Sequence, residues 1–91
     1  MYIIQQGGDA AVNADGIVKI FVDDTRSRTG TFILFAYTVS EQYEVLYEDK
    51  SEEKVRGMFD TILTGMIDGD TVIDIPYQIE LSERRELNER E

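Results

Sequence analysis

The sequence predicts an α+β fold: one mostly antiparallel sheet of four to five strands with a single amphipathic helix, about residues 51–68, packed on one face. Three observations carry this. Val55, Met58, Phe59, Ile62, Leu63, Met66 and Ile67 recur at helical spacing between Ser51 and Gly69, a start signal and a stop signal. Outside that segment the chain breaks into short β-branched and aromatic runs separated by Gly, Asn and Asp. The run from Phe32 to Val39 is apolar and aromatic almost throughout, as expected of a central strand covered on both faces.

The elements follow in order. Met1 to Gln5 is a first short strand, and Gly7-Gly8-Asp9 turns it into a weak second segment through Ala10, Ala11 and Val12. Asn13-Ala14-Asp15-Gly16 is the next turn, since Asp and Gly tolerate positive φ. Ile17 to Asp23 alternates, with Val18, Ile20 and Val22 forming an aliphatic face. The polar stretch Asp24 to Gly30 is a hairpin loop that leads into the central strand. Tyr43, Val45 and Tyr47 then alternate with Glu44, Leu46 and Glu48 on a strand nearer an edge.

Ser51 caps the helix, Glu52 and Glu53 sit in its first turn where the dipole favours them, and Gly69 ends it. Val72 to Ile75 begins a last strand, which continues past Pro76 to Leu81 with period two, proline marking an edge. The expected domain is 1–81, and 82–91 is a polar charged tail. The expected core is Ile3, Val18, Ile20, Val22, Ile33, Phe35, Val45, Val55, Phe59, Ile62, Leu63, Met66 and Ile75.

A chain of 91 residues holds one domain with a core able to fold without metals or disulfides. It contains no cysteine, which excludes thiolate metal sites and cysteine nucleophiles and fits a reducing cytoplasm. Met1-Tyr2-Ile3-Ile4 runs straight into Gln5-Gln6-Gly7-Gly8 without the basic and apolar regions of a signal peptide. No apolar run nears the ~20 residues of a membrane helix. The expectation is a cytoplasmic protein that does not engage the membrane.

Nine basic residues against nineteen acidic ones give a formal net charge of −10, which disfavours direct contact with nucleic-acid phosphates. Acid dominates the second half, where Lys50, Lys54 and Arg56 are the only cations between Glu41 and Glu80. Such a surface serves solubility, and it also suits a basic partner.

Residues 1–6, Val12-Asn13-Ala14-Asp15-Gly16-Ile17, and the run from Leu46-Tyr47-Glu48 through Ser51-Glu52-Glu53-Lys54-Val55 to Ile62 form a pattern. It resembles a group of small, mostly uncharacterised sheet-plus-helix proteins of Gram-positive bacteria and their phages. The similar stretches cover about half of the chain. The resemblance implies a phage or mobile-element setting and a small sheet-plus-helix fold, and it implies no reaction. The chain departs from the pattern in its longer loop, Asp24 to Gly30, and in the acidic extension after Pro76.

Catalysis has little to work with. The absence of histidine removes the usual general base near neutral pH, every Ser-His-Asp arrangement and every His metal site. Asp23-Asp24, Asp68, Asp70 and Asp74 offer oxygen ligands, but their spacing does not match a calcium loop, so they read as turn and helix-end residues. Gly7-Gly8 lacks the Lys-Ser or Lys-Thr of a phosphate loop. Phe32, Phe35, Tyr37, Tyr43, Tyr47 and Tyr77 have too few cations nearby for a base-stacking platform and read as core and edge packing.

No catalytic residue, cofactor or metal is expected, and the expected role is a non-catalytic protein-interaction module with a protein partner, basic in character. Its contact residues would be Glu41, Glu44, Glu48, Glu52 and Glu53, with Arg26 and Arg28 as a separate anchor for an acidic partner or a second copy. Two alternatives stand beside it. One is an acidic inhibitor that mimics nucleic acid, with Glu44, Glu48, Glu52 and Glu53 in one patch. The other is a homodimeric assembly protein joined through Tyr43–Glu48 or through the Pro76–Leu81 region.

Overall fold

The computed structural model describes residues 1–23 and 30–89. Strands β1 (Tyr2–Ile4), β2 (Ala11–Asn13), β3 (Ile17–Asp23), β4 (Phe32–Thr38) and β5 (Tyr43–Asp49) precede helix α1 (Glu52–Asp68). Strand β6 (Val72–Asp74) and helix α2 (Ile75–Glu89) follow. Over the described residues the fold is α+β, with two three-stranded sheets and two α-helices in place of the expected single sheet and single helix.

The first sheet has the order β2-β1-β6, with β1 antiparallel to β2 and parallel to β6. The second is an antiparallel meander, β3-β4-β5. They are joined along the outer edge of β5. Beyond the end of β1, the Gln6 amide N–H donates to the Leu46 carbonyl at 3.1 Å, and the Gln5 side chain donates to the Val45 carbonyl at 2.8 Å. The Gln6 carboxamide both receives from the Glu48 N–H at 2.9 Å and donates to the Glu48 carbonyl at 3.1 Å. Two side-chain amides thus do for β5 what a neighbouring strand would do, satisfying backbone groups that an edge leaves open.

Helix α1 forms as its signals predict. The Ser51 hydroxyl accepts from the Lys54 N–H, and Gly69 adopts φ 76° while the Asp70 N–H returns to the Gly65 carbonyl. Its buried stripe, Val55, Met58, Ile62 and Gly65, lies over the inner face of the second sheet, where Leu34, Ala36, Leu46 and Tyr47 are buried. Ile3, Ile73 and Ile75 complete the core from the first sheet.

Two β-bulges decide which side chains reach that core. In β3 the register slips between Ile17 and Lys19, so Val18 is turned out at 63% exposure, while Ile17, Ile20 and Val22 pack inward. In β5 the pairs Leu34↔Tyr47 and Phe35↔Val45 leave Leu46 as the extra residue, and Leu46 and Tyr47 are both buried. Val18 and Val45 therefore leave the expected core. Ile33 and Phe35 leave it too, because they alternate with the buried Leu34 and Ala36 and lie on the opposite face. Leu63 stays on the exposed side of α1.

The expected last strand ends early. Only Val72–Asp74 pairs, and α2 begins at Ile75. The Asp74 carboxylate accepts from the Tyr77 N–H at 3.1 Å, which makes Asp74 the N-cap and puts Pro76 in the first turn, where its missing N–H has no helical partner to lose. Ile75 and Ile79, one turn apart, are the helix's contacts with the core, and Arg84 pairs with Glu80 along its exposed side. Residues 82–89 continue this helix.

Candidate interaction face

Strand alternation sends one set of β3-β4-β5 side chains under α1 and the other set away from it. The second set is apolar and aromatic. Phe21 pairs with Phe35 across β3 and β4, and Tyr37 pairs with Tyr43 across β4 and β5. The Phe21 and Phe35 rings are stacked with centroids 5.4 Å apart. Tyr43 meets both edge-on at 6.1 Å and lies 4.9 Å from Tyr37. Such tilted and edge-to-face contacts favour one arrangement of the rings over free rotation.

Ile33 and Val45 extend this surface, and Tyr43 is 65% exposed. The Lys19 ammonium sits 5.1 Å from the centre of the Phe21 ring, so a ring of this cluster already holds a cation. The continuous apolar run of β4 therefore has a different cause from the one its sequence suggests. One face is core, and the other is an aromatic surface that no element of the described residues covers.

The glutamates of the expected acidic patch are dispersed. Glu44 pairs with Ala36 on the inward side and lines an open recess with Gln5, Asn13 and Thr38. Glu48 pairs with Ile33 on the outer face and accepts from the Thr31 hydroxyl at 3.3 Å. Without a bulge, residues four apart on a strand share a face, and the extra residue Leu46 separates these two. Glu41 lies in the β4–β5 turn at φ 62°, and Glu52 and Glu53 start α1, where Glu52 pairs with Arg56 at 2.9 Å. Arg26 and Arg28 lie outside the described residues.

The two segments expected to join two copies are not both free strands. The Tyr43–Glu48 edge carries the Gln5 and Gln6 amides, and residues 76–81 are helical. The tyrosine and phenylalanine set also divides. Phe35, Tyr37 and Tyr43 join the outer face, Tyr47 is buried, Phe32 packs against the core, and Tyr77 projects from α2. Phe21, which that reading passed over, completes the cluster. Its signal was its position on β3, two residues from Lys19 and in alternation with Ile20 and Val22.

An open cleft of about 420 Å³ separates α1 from α2, with Tyr47, Asp49, Ser51, Lys54, Glu83 and Glu86 among its walls. Several of its polar groups are paired with one another. The Tyr47 hydroxyl donates to Asp49 Oδ2 at 3.3 Å, the Ser51 N–H donates to Asp49 Oδ1 at 2.8 Å, and Lys54 lies 3.8 Å from Glu86. Burial first, then the Asp49 carboxylate, push the Tyr47 phenol up to about 12, so it stays protonated at neutral pH. Among the described residues no three His, Cys, Asp or Glu side chains converge as metal ligands, and no helix is long and apolar enough to cross a membrane.

Comparison with protein-family models, with curated proteins and with solved structures finds no match to this chain.

Proposed function

We propose that this is a non-catalytic protein-interaction module whose contact surface is the aromatic outer face of β3-β4-β5, and that its partner presents lysine or arginine among apolar side chains. The ring cluster Phe21, Phe35, Tyr37 and Tyr43 supports this reading most directly, because a soluble fold rarely leaves a contiguous aromatic surface uncovered without using it. The net charge of −10 and the Lys19 ammonium on Phe21 support the partner's chemistry: the chain attracts cations at long range, and its rings bind them at short range. A cytoplasmic, phage or mobile-element setting, as the resemblance implies, belongs to the same proposal.

The decoy reading has less support, because the Leu46 bulge turns Glu44 and Glu48 to opposite faces and leaves no single row of carboxylates.

A peptide-display selection against the purified chain tests the proposal. It should enrich segments that combine Arg or Lys with apolar residues. Replacing both Tyr37 and Tyr43 by Ser should weaken the selected peptides about 5- to 30-fold, from ~0.5–1 kcal/mol for each ring-cation contact. Glu44→Lys, on the other face, should change binding far less. Enriched peptides that ignore the tyrosine changes would refute the assignment of the face.

A further inference from the structure

We infer that Lys19 is a built-in competitor for the aromatic face: in the free chain its ammonium holds the place that a partner's cation takes, and it leaves Phe21 when the partner binds. The inference rests on the proposed use of this face and adds what controls it.

Cross-strand pairing lays the outer face out in rows. Lys19 pairs with Tyr37 and Tyr37 with Tyr43, while the next row is Phe21, Phe35 and Val45. Lys19 therefore stands in line with the two tyrosines, and its ammonium reaches the next row, 5.1 Å from the centre of the Phe21 ring. Phe35 is stacked against that ring with centroids 5.4 Å apart, and Tyr43 meets it edge-on at 6.1 Å. With two rings already against it, Phe21 offers a cation the side that Lys19 covers.

Among the described residues Lys19 makes no ion pair, so ring attraction is the contact that holds its ammonium there. Such a contact is weak at an exposed site, and the ammonium is strongly hydrated on a flexible four-carbon stem, so Lys19 can swing into water at small cost. It is also tethered, and its ammonium competes at a high effective concentration. A cation arriving at these rings exchanges one ring contact for another and gains little by charge alone. A segment that also covers Ile33, Phe35 and Val45 buries apolar surface, which offsets the contact given up. Lys19 thus makes the face answer to a cation and apolar side chains presented together, although the net charge of −10 draws cations of every kind toward the chain.

Calorimetric titration with a peptide of alternating arginine and leucine, at ~0.15 M salt, tests this. Lys19→Met removes the charge while leaving an unbranched side chain, and it should tighten binding about 2- to 5-fold, the worth of one exposed ring-cation contact. Arg56→Met makes the same change in net charge on the α1 side and should alter affinity far less. Equal tightening by the two variants would make long-range charge the cause and overturn the inference.

The unaltered chain gives a second reading. The ε-methylene protons of Lys19, shielded by the Phe21 ring in the free chain, should move downfield toward ordinary lysine values as the peptide saturates the face. Protons that stay shielded at saturation, or binding that Lys19→Met weakens or leaves unchanged, would overturn the inference and leave the assignment of the face standing. Absence of binding by both Lys19→Met and the unaltered chain would remove that assignment and this inference with it.

Discussion

The same substitution at two positions of α1 should have opposite effects, and the pair tests how α1 approaches the first sheet. Gly57 lies on the exposed side, and a Cβ built there meets nothing within 4 Å. Gly57→Ala should therefore deliver the helix-propensity difference alone, a stabilisation of about 1 kcal/mol. Gly65 is buried against β6. A Cβ there would overlap Ile73 Cδ1 and would stand 3.3 Å from Ile73 Cγ1 and 3.1 Å from Asp70 Oδ2. Ile73 is only 4% exposed, so its side chain has little room to withdraw.

Overpacking of this kind costs ~1–3 kcal/mol, which outweighs the propensity gain and leaves Gly65→Ala destabilising by about 0–2 kcal/mol. Urea denaturation followed by circular dichroism reads both variants, with a constant slope showing that the midpoint reports stability. If Gly65→Ala stabilised the chain as much as Gly57→Ala, α1 would not lie close against β6, and the packing described above would be wrong.

Two further outcomes follow from single side chains. Gln6→Ala removes the two hydrogen bonds between the Gln6 carboxamide and Glu48, and it should cost about 1 kcal/mol while speeding hydrogen exchange at the Glu48 amide; unchanged exchange would show that this edge is not held by Gln6. Tyr47, whose phenol is pushed up to about 12, is favoured in its protonated form by the fold, so its contribution is complete below the unfolded value of ~10 and is lost as pH rises from there toward 12. Stability in denaturation should fall across that window, and Tyr47→Phe should flatten the dependence; an equal alkaline loss in that variant would assign it elsewhere.

The bounds of helix α1 are legible in the sequence because their signals are local, Ser51 and Gly69 acting within the segment, whereas its buried face is narrower than the apolar stripe and leaves Leu63 and Ile67 exposed. The β1–β2 hairpin and the central place of β4 were legible for similar reasons. Helix α2 is hidden in the sequence because Ile73, Ile75, Tyr77, Ile79 and Leu81 also fit a two-residue period, and a proline at Pro76 equally suits a strand edge. The Asp74 cap and the first-turn proline, two residues apart, were the signals that favoured a helix.

The bulges were not legible. Each arises from the fit of one strand to its neighbour, and each reverses the facing of the residues beyond it, which moved Val18 outward and separated Glu44 from Glu48. The aromatic face is not legible as such, since Phe35, Tyr37 and Tyr43 stand among six aromatics that the sequence reads together as core and edge packing. Whether a continuous apolar strand is covered once or twice depends on how many helices lie on its sheet, and that is a property of the whole fold.

The most direct test of the account is an NMR titration, following aromatic rings and backbone amides, of the chain with a short synthetic peptide of alternating arginine and leucine, at ~0.15 M salt, where loose charge attraction is screened. The account predicts shifts concentrated in the rings of Phe21, Phe35, Tyr37 and Tyr43, with Tyr47 and Tyr77 unmoved. Shifts centred instead on the first turn of α1, at Glu52 and Glu53, with the ring resonances still, would mean that the peptide meets only diffuse acid and that the aromatic face is not the binding surface.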